Sequence, residues 1–370
     1  MVLTLVPLYS LQLGASVAMV GLLSASVSFF PLLFAVRTGS LVDRFGARKV
    51  LIVASLILAA SPVFVILWPS IPALFALQIG IGIANLLAVV AGQAYTASLG
   101  SGLKRESNFG WYTTFVSAGQ VIGPLVAGVV ADQYGFLAGF LAAGLLTLFA
   151  IASSLWLRES ESDRATVREA GRPHELQRAL ALLRLAGVQF AMIVTFIVAF
   201  AQGTFTAFFP VVLEGAGFTV TVIGGLLSLR AAISMVLRPM VPRITRMLGN
   251  KRSALKLMLL LIVATCVVTA LNLSLLSAIG VVIVMGVWWG LSPPLSIVMM
   301  VDGAADNQRG FALGVRLTAN RFAQFAGPLA MGVVADGLSL RAGFLAAGAF
   351  VAIFFAYLTA RDRVSEAAVP

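Results

Sequence analysis

The stretch GPLVAGVVADQYGFLAGFLAAG at residues 123–144 returns 204 residues later as GPLAMGVVADGLSLRAGFLAAG at residues 327–348, with 15 of 22 positions identical. The match extends upstream at the same offset, pairing Arg105, Gly110 and Gln120 with Arg309, Gly314 and Gln324. At an offset of 203, Pro7, Gly14, Gly21 and Gly46 pair with Pro210, Gly217, Gly224 and Gly249. A unit of this length is far larger than a solenoid repeat, and when each unit holds several apolar spans the pattern describes two related helix bundles.

The apolar spans are there. Sixty per cent of the 370 residues are hydrophobic, 11 per cent are charged, and the mean hydropathy is +1.02. Crossing a hydrocarbon layer about 30 Å thick takes roughly 20 apolar helical residues. Runs of that kind are expected at 16–36, 50–68, 71–97, 108–131 and 136–157, and again at 186–213, 219–240, 253–271, 275–301, 310–335 and 339–360. Met1–Ser10 is apolar but about half long enough. It lacks the basic start of a signal peptide and reads as the remnant of helix one, so the eleven complete spans are helices two to twelve. Because helix seven begins near Gly187, its partner is expected to begin about 15 residues before Met1. The expected fold class is therefore all-α and integral to the membrane: two six-helix bundles related by a pseudo-two-fold axis, the first helix truncated. The expected organisation is an N-terminal bundle over 1–157, a linker over 158–185, a C-terminal bundle over 186–361 and a tail over 362–370.

The net charge of +11 does not call for nucleic acid. Assigning alternate loops to alternate sides puts 21 of the 25 Lys and Arg on one side, Arg341 alone on the other, and three inside helices. That asymmetry marks the basic side, with the linker and C-terminus, as cytoplasmic, and a multi-pass cell-membrane protein is expected. Cys266 and His174 are each the only residue of their type, which excludes a metal site built from His and Cys. No Gly-rich phosphate loop with a following Lys is present, and no cofactor or catalytic set is expected. Within the linker, Leu176–Leu185 reads as a short surface helix.

Between the second and third spans runs Gly39-Ser40-Leu41-Val42-Asp43-Arg44-Phe45-Gly46-Ala47-Arg48-Lys49. It resembles the signature loop of the major facilitator superfamily, with every diagnostic position filled. The fifth span carries Gly110, Gly119, Gly123-Pro124 and Ala127-Gly128, and resembles the antiporter motif of the drug-exporting branch, with Ala127 where that branch has Gly. The resemblance covers nearly the whole chain. It implies the major facilitator fold, alternating access, and a gating role for Gly39, Asp43, Arg44, Gly46 and Arg48, with Asp43 bracing the start of helix eleven near Gly310. In the second half, Arg246 stands where Asp43 would fall, so the latch is one-sided. Arg48 and Lys49 could equally do no more than fix topology. Gly110, Gly119, Gly123, Pro124 and Gly128 could form a pivot, since small residues let helices approach and proline bends them; packing alone is the competing reading.

Two features of proton-coupled exporters are missing. No arginine precedes Gly80 and Gly82 in helix four, and all 14 acids lie in loops or near helix ends. A coupling proton is left open. Charged residues inside membrane helices are suspects for function. Arg230 and Arg321 lie deep enough to need protein, water or an anionic substrate around them. Arg316, about 10 Å along its helix from Arg309, could snorkel to the cytoplasmic surface and is set aside as a substrate ligand. Asn320, Gln120, Gln202 and Gln324, with Gln93, are the polar candidates for a substrate site. Phe196, Phe200, Phe205, Phe208 and Phe209 of helix seven, with Trp288 and Trp289 of helix ten, either line a cavity for amphipathic solutes or serve lipid contact and core packing. The expected activity is secondary active transport of a small organic solute, in the direction of export, by a monomer in the lipid bilayer. Import of an organic anion, or a sensor that kept the fold and lost transport, is the alternative.

Overall fold

The computed structural model describes residues 1–100, 102–157, 185–271, 273–304 and 309–367, and the described residues are almost wholly helical. The linker over 158–184, with the expected surface helix up to residue 184 and His174, lies outside them. The helices are α1 (Val2–Gln12), α2 (Val17–Phe45), α3 (Ala47–Leu67), α4 (Ile71–Ser98), α5 (Gly102–Tyr134), α6 (Phe136–Trp156), α7 (Ala186–Gly215) and α8 (Val220–Leu237). A helical elbow over Arg238–Met240 and Val241–Met247 follows, then α9 (Lys251–Thr269), α10 (Leu275–Asp302), α11 (Arg309–Gly337) and α12 (Leu340–Ala367). Each of the eleven spans expected from apolar runs is a helix. Among the described residues ten helices are long and apolar enough to cross a membrane. The eleventh, α11, matches them in length but carries Arg309, Arg316 and Arg321.

The repeat is written into the backbone. Gly14 and Gly217 both adopt left-handed φ, +81° and +85°, and Gly46 and Gly249 do the same at +84° and +85°. A Cβ disfavours that conformation, so glycine recurs where the chain makes the same turn twice. Two residues beyond the first pair, the Ser16 hydroxyl accepts from the amide of Met19 at 3.2 Å and the Thr219 hydroxyl from the amide of Val222 at 3.4 Å. These are the same helix cap at an offset of 203.

By packing, the chain forms two compact units, Met1–Pro173 with Phe218–Ser228, and His174–Gly217 with Leu229–Pro370. In the first, Leu5, Leu23, Leu74, Leu77 and Phe140 are fully buried. Tyr9 stacks on Phe136 at 5.5 Å and meets Phe140 edge-on at 5.6 Å. In the second, Phe205 meets Phe344 at 5.2 Å and Trp288 at 6.0 Å, and the Trp288 indole donates to the Thr265 hydroxyl at 3.3 Å. Phe205, Phe208, Phe209 and Trp288 are fully buried and are core, so of the two readings open for those aromatics the packing one applies to these four. Outward, Phe115, Phe149, Trp156 and Val333 are each at least 70% exposed. Large apolar side chains in such numbers on the outside are the surface that hydrocarbon, not water, covers.

Candidate functional site

In the first unit, two features carry the motifs. The signature loop is the end of α2, the turn at Gly46 and the start of α3. Asp43 and Arg44 are exposed, and Arg44 lies over the Phe45 ring at 5.2 Å. Among the described residues Asp43 makes no ion pair or hydrogen bond. The side chains at 309 and 310, where its expected partner lies, are outside the description. Arg48 turns the other way and donates to the carbonyl of Leu155 at 2.8 Å, tying the start of α3 to the end of α6.

The second feature is the far end of α5. A Cβ on Gly128 would run into the carbonyl of Val220, and one on Gly224 into the carbonyl of Pro124. At this crossing α5 and the first turns of α8 touch backbone to backbone. Two helices approach this closely only where neither carries a side chain. Beside it, the Asp132 carboxylate accepts from the amides of Val220 at 3.0 Å and Thr221 at 2.7 Å. It caps α8 from another helix, satisfying orphan donors at the positive end of the helix dipole. Gly110 and Gly119 face open space and Gln120 is exposed, while a Cβ on Gly123 would come within 3.1 Å of the Met1 amine.

The polar residues of the second unit converge more tightly. Asn320 and Gln324 are one turn apart on α11, and the Gln324 amide donates to Asn320 Oδ1 at 3.3 Å. Arg321 donates to Gln324 Oε1 at 3.5 Å. Arg316 lies one turn before Asn320 and does not snorkel. It is 9% exposed and donates to the Ser296 hydroxyl at 3.0 Å and the Pro293 carbonyl at 3.4 Å, both on α10. The reading that it could reach the surface is corrected, because α10 stands in its path and offers acceptors. On α8, Arg230 sits with its guanidinium carbon 4.0 Å from the Trp289 ring centroid. Gly286 and Gly290 make this contact reachable: Cβ atoms there would meet the Arg230 carbonyl at 3.0 Å and the Ser234 carbonyl at 2.8 Å. Gln202 is buried on α7 and its carbonyl accepts from the Thr206 hydroxyl at 2.7 Å. The Nε atoms of Arg230, Arg316 and Arg321 and the hydroxyls of Ser234 and Ser292 are buried without a hydrogen-bond partner.

The acids of this unit whose side chains are described stay at helix ends: Glu214, Asp302 and Asp336, with Asp302 paired to Lys251. Three guanidinium groups therefore sit inside the helix bundle against neutral oxygens and an aromatic face. Among the described residues no group of three or more His, Cys, Asp or Glu could hold a metal ion.

Known proteins agree with this architecture. The chain is similar over its whole length to Multidrug resistance protein 2 of Bacillus subtilis (strain 168), 24% identical over 382 residues that make up 92% of that protein. It is 23% identical to Multidrug resistance protein 1 of the same organism, over 91% of this chain and 85% of the relative. It shares the fold of the nucleoside transporter NupG, whose crystal structure superposes with a TM-score of 0.78 at 13% identity, covering 97% of this chain and 96% of that one. The sequence model of the Major Facilitator Superfamily matches residues 1–328, and with the signature loop, the paired turns and the apolar helices in place, the chain belongs to that superfamily.

Proposed function

We propose that this protein is a secondary active transporter that exports a small organic solute by alternating access, its N-terminal bundle over 1–157 and C-terminal bundle over 186–361 joined by a cytoplasmic linker in the cell membrane. The observation that carries the reading is the bare-backbone crossing of α5 on α8 at Gly128 and Gly224. Without interlocking side chains, one helix can roll on the other with little steric resistance, and Pro124 supplies a bend next to the contact. Export as the direction is supported by the two relatives named for multidrug resistance, each matched over most of its length. The glycines of this crossing are the groups proposed for movement, and the arginines inside the helices those proposed for binding.

Counterflow tests the transporter reading. Proteoliposomes preloaded with an unlabelled solute should take up the same labelled solute faster than empty ones, in a saturable way. Direction is then read in cells expressing the chain, which should accumulate less of that solute than cells expressing a Gly128→Val variant. Greater accumulation would reverse the direction, and absence of counterflow for every solute in a panel of cations, neutral compounds and anions would leave a membrane sensor.

A further inference from the structure

Trp289, Pro293 and Ser296 are spaced i, i+4 and i+7, so they share one face of α10 over about 10 Å of helix. Each end of that face holds a guanidinium. Arg230 covers Trp289 at one end, and Arg316 is bonded to Ser296 and the Pro293 carbonyl at the other.

Among the described residues neither cation has an anion. Arg316 is nine-tenths buried, its Nε has no acceptor, and its Nη2 contacts are to a hydroxyl and a carbonyl. Arg230 is held by an aromatic face, and its Nε is likewise without a partner. Ser292, on the same turn as Pro293, has a buried hydroxyl without a partner as well. A guanidinium carries five donors in a planar fork that matches a carboxylate or phosphate, and neutral single acceptors leave that fork mostly unused. Removing a cation from water is costly unless it is paired. A buried Arg316 and a partly buried Arg230, with no counter-charge among the described residues, leave their forks open to an anion.

We propose that this face of α10 is the substrate-binding face, and that it takes an organic anion, a carboxylate or phosphonate on an apolar body. Arg316 anchors the charged group through its fork, and Arg230 exchanges its contact with Trp289 for the anion. The indole so uncovered stacks on the apolar body. The inference rests on the transporter reading and narrows its substrate class.

The test uses the purified full chain in nanodiscs with three probes of one shape: naphthalene-2-carboxylate, naphthalene-2-carboxamide and naphthalen-2-ylmethylammonium. By calorimetry the carboxylate should bind at least about tenfold more tightly than the other two. Arg316→Gln and Arg230→Gln should each weaken it by about tenfold or more, and Arg316→Lys should recover part of the loss. In the wild-type chain the carboxylate should change tryptophan emission, and Trp289→Phe should abolish that change; this readout needs no arginine variant to fold. Equal binding of carboxylate and carboxamide, or wild-type binding in both glutamine variants, overturns the site. Counterflow with the same probes separates the two readings. Movement of the ammonium or the carboxamide but not the carboxylate overturns the anion class and leaves the transporter standing. Tight carboxylate binding without counterflow of any probe keeps the site and overturns the transporter.

Discussion

The carboxylate of Asp132, two residues from the end of α5, accepts the backbone amide of Thr221 at 2.7 Å and so caps α8, a helix 88 residues further along the chain. A side-chain cap normally comes from the residue just before the helix. Here that place is held by Thr219, whose hydroxyl serves Val222, and Asp132 adds a full negative charge beside it. The start of α8 is therefore secured twice, and one of the two locks sits on another helix.

Removing that lock should be visible as local opening. In Asp132→Ala, the amides of residues 220 and 221 should exchange hydrogen roughly fivefold faster, the equivalent of about 1 kcal/mol for a charged cap. Hydrogen-exchange mass spectrometry reads it directly. Unchanged exchange at these amides would mean that Thr219 suffices.

The crossing beside Asp132 allows no side chain. Gly128→Val or Gly224→Val should lower stability by about 1–3 kcal/mol through overpacking and should stop counterflow, because the backbones must separate to admit the new group. Gly110→Ala, at a position with open space around it, should leave both within experimental error. Thermal unfolding and counterflow on the same preparations check the contrast.

Asp43 and Arg48 are five residues apart yet should fail differently. Arg48→Met removes a charged donor from the Leu155 carbonyl and should cost about 1–2 kcal/mol of stability. Asp43→Asn changes an exposed residue without a partner among the described residues and should leave the unfolding temperature unchanged. If Asp43 steadies one transport state through a helix end, its loss should slow turnover roughly fivefold, the worth of about 1 kcal/mol, with equilibrium binding unaltered. Equal destabilisation by both variants would make Asp43 a structural residue.

The neighbouring tryptophans of α10 also separate by role. Trp288→Phe loses the bond to Thr265 in a fully buried setting and should destabilise by about 1–2 kcal/mol. Trp289→Phe keeps an aromatic face for Arg230 and should cost little stability. Denaturant midpoints of the two variants decide it.

Much of the fold was legible because a bilayer imposes a length on every span. The expected ends of α4 and α10 agree with the observed Ile71–Ser98 and Leu275–Asp302 to within a residue. At α2 the helix outlasts the apolar run. The run 16–36 stops at the first arginine, but α2 continues to Phe45, since hydropathy reports where hydrocarbon ends and not where hydrogen bonding ends. Elements of the site were legible when the partners share a helix: Asn320, Arg321 and Gln324 lie within one turn, and helical spacing alone brings them together. Arg316 was not legible, because its depth along α11 says nothing about whether α10 blocks its route outward. The clue lay elsewhere in the chain, in two consecutive prolines at 293 and 294 flanked by Ser292 and Ser296, an unusually polar stretch for a membrane helix.

Cys266 is the chain's single cysteine, and it is 1% exposed within α9. A thiol that solvent and reagents cannot reach reacts slowly, so the unaltered protein is already a dark background for labelling. Spin labels or fluorophores placed on engineered surface cysteines at the two ends of the helices would report distances without contribution from the native thiol. Movements of the helices can thus be followed in a chain whose core has not been disturbed to make them visible.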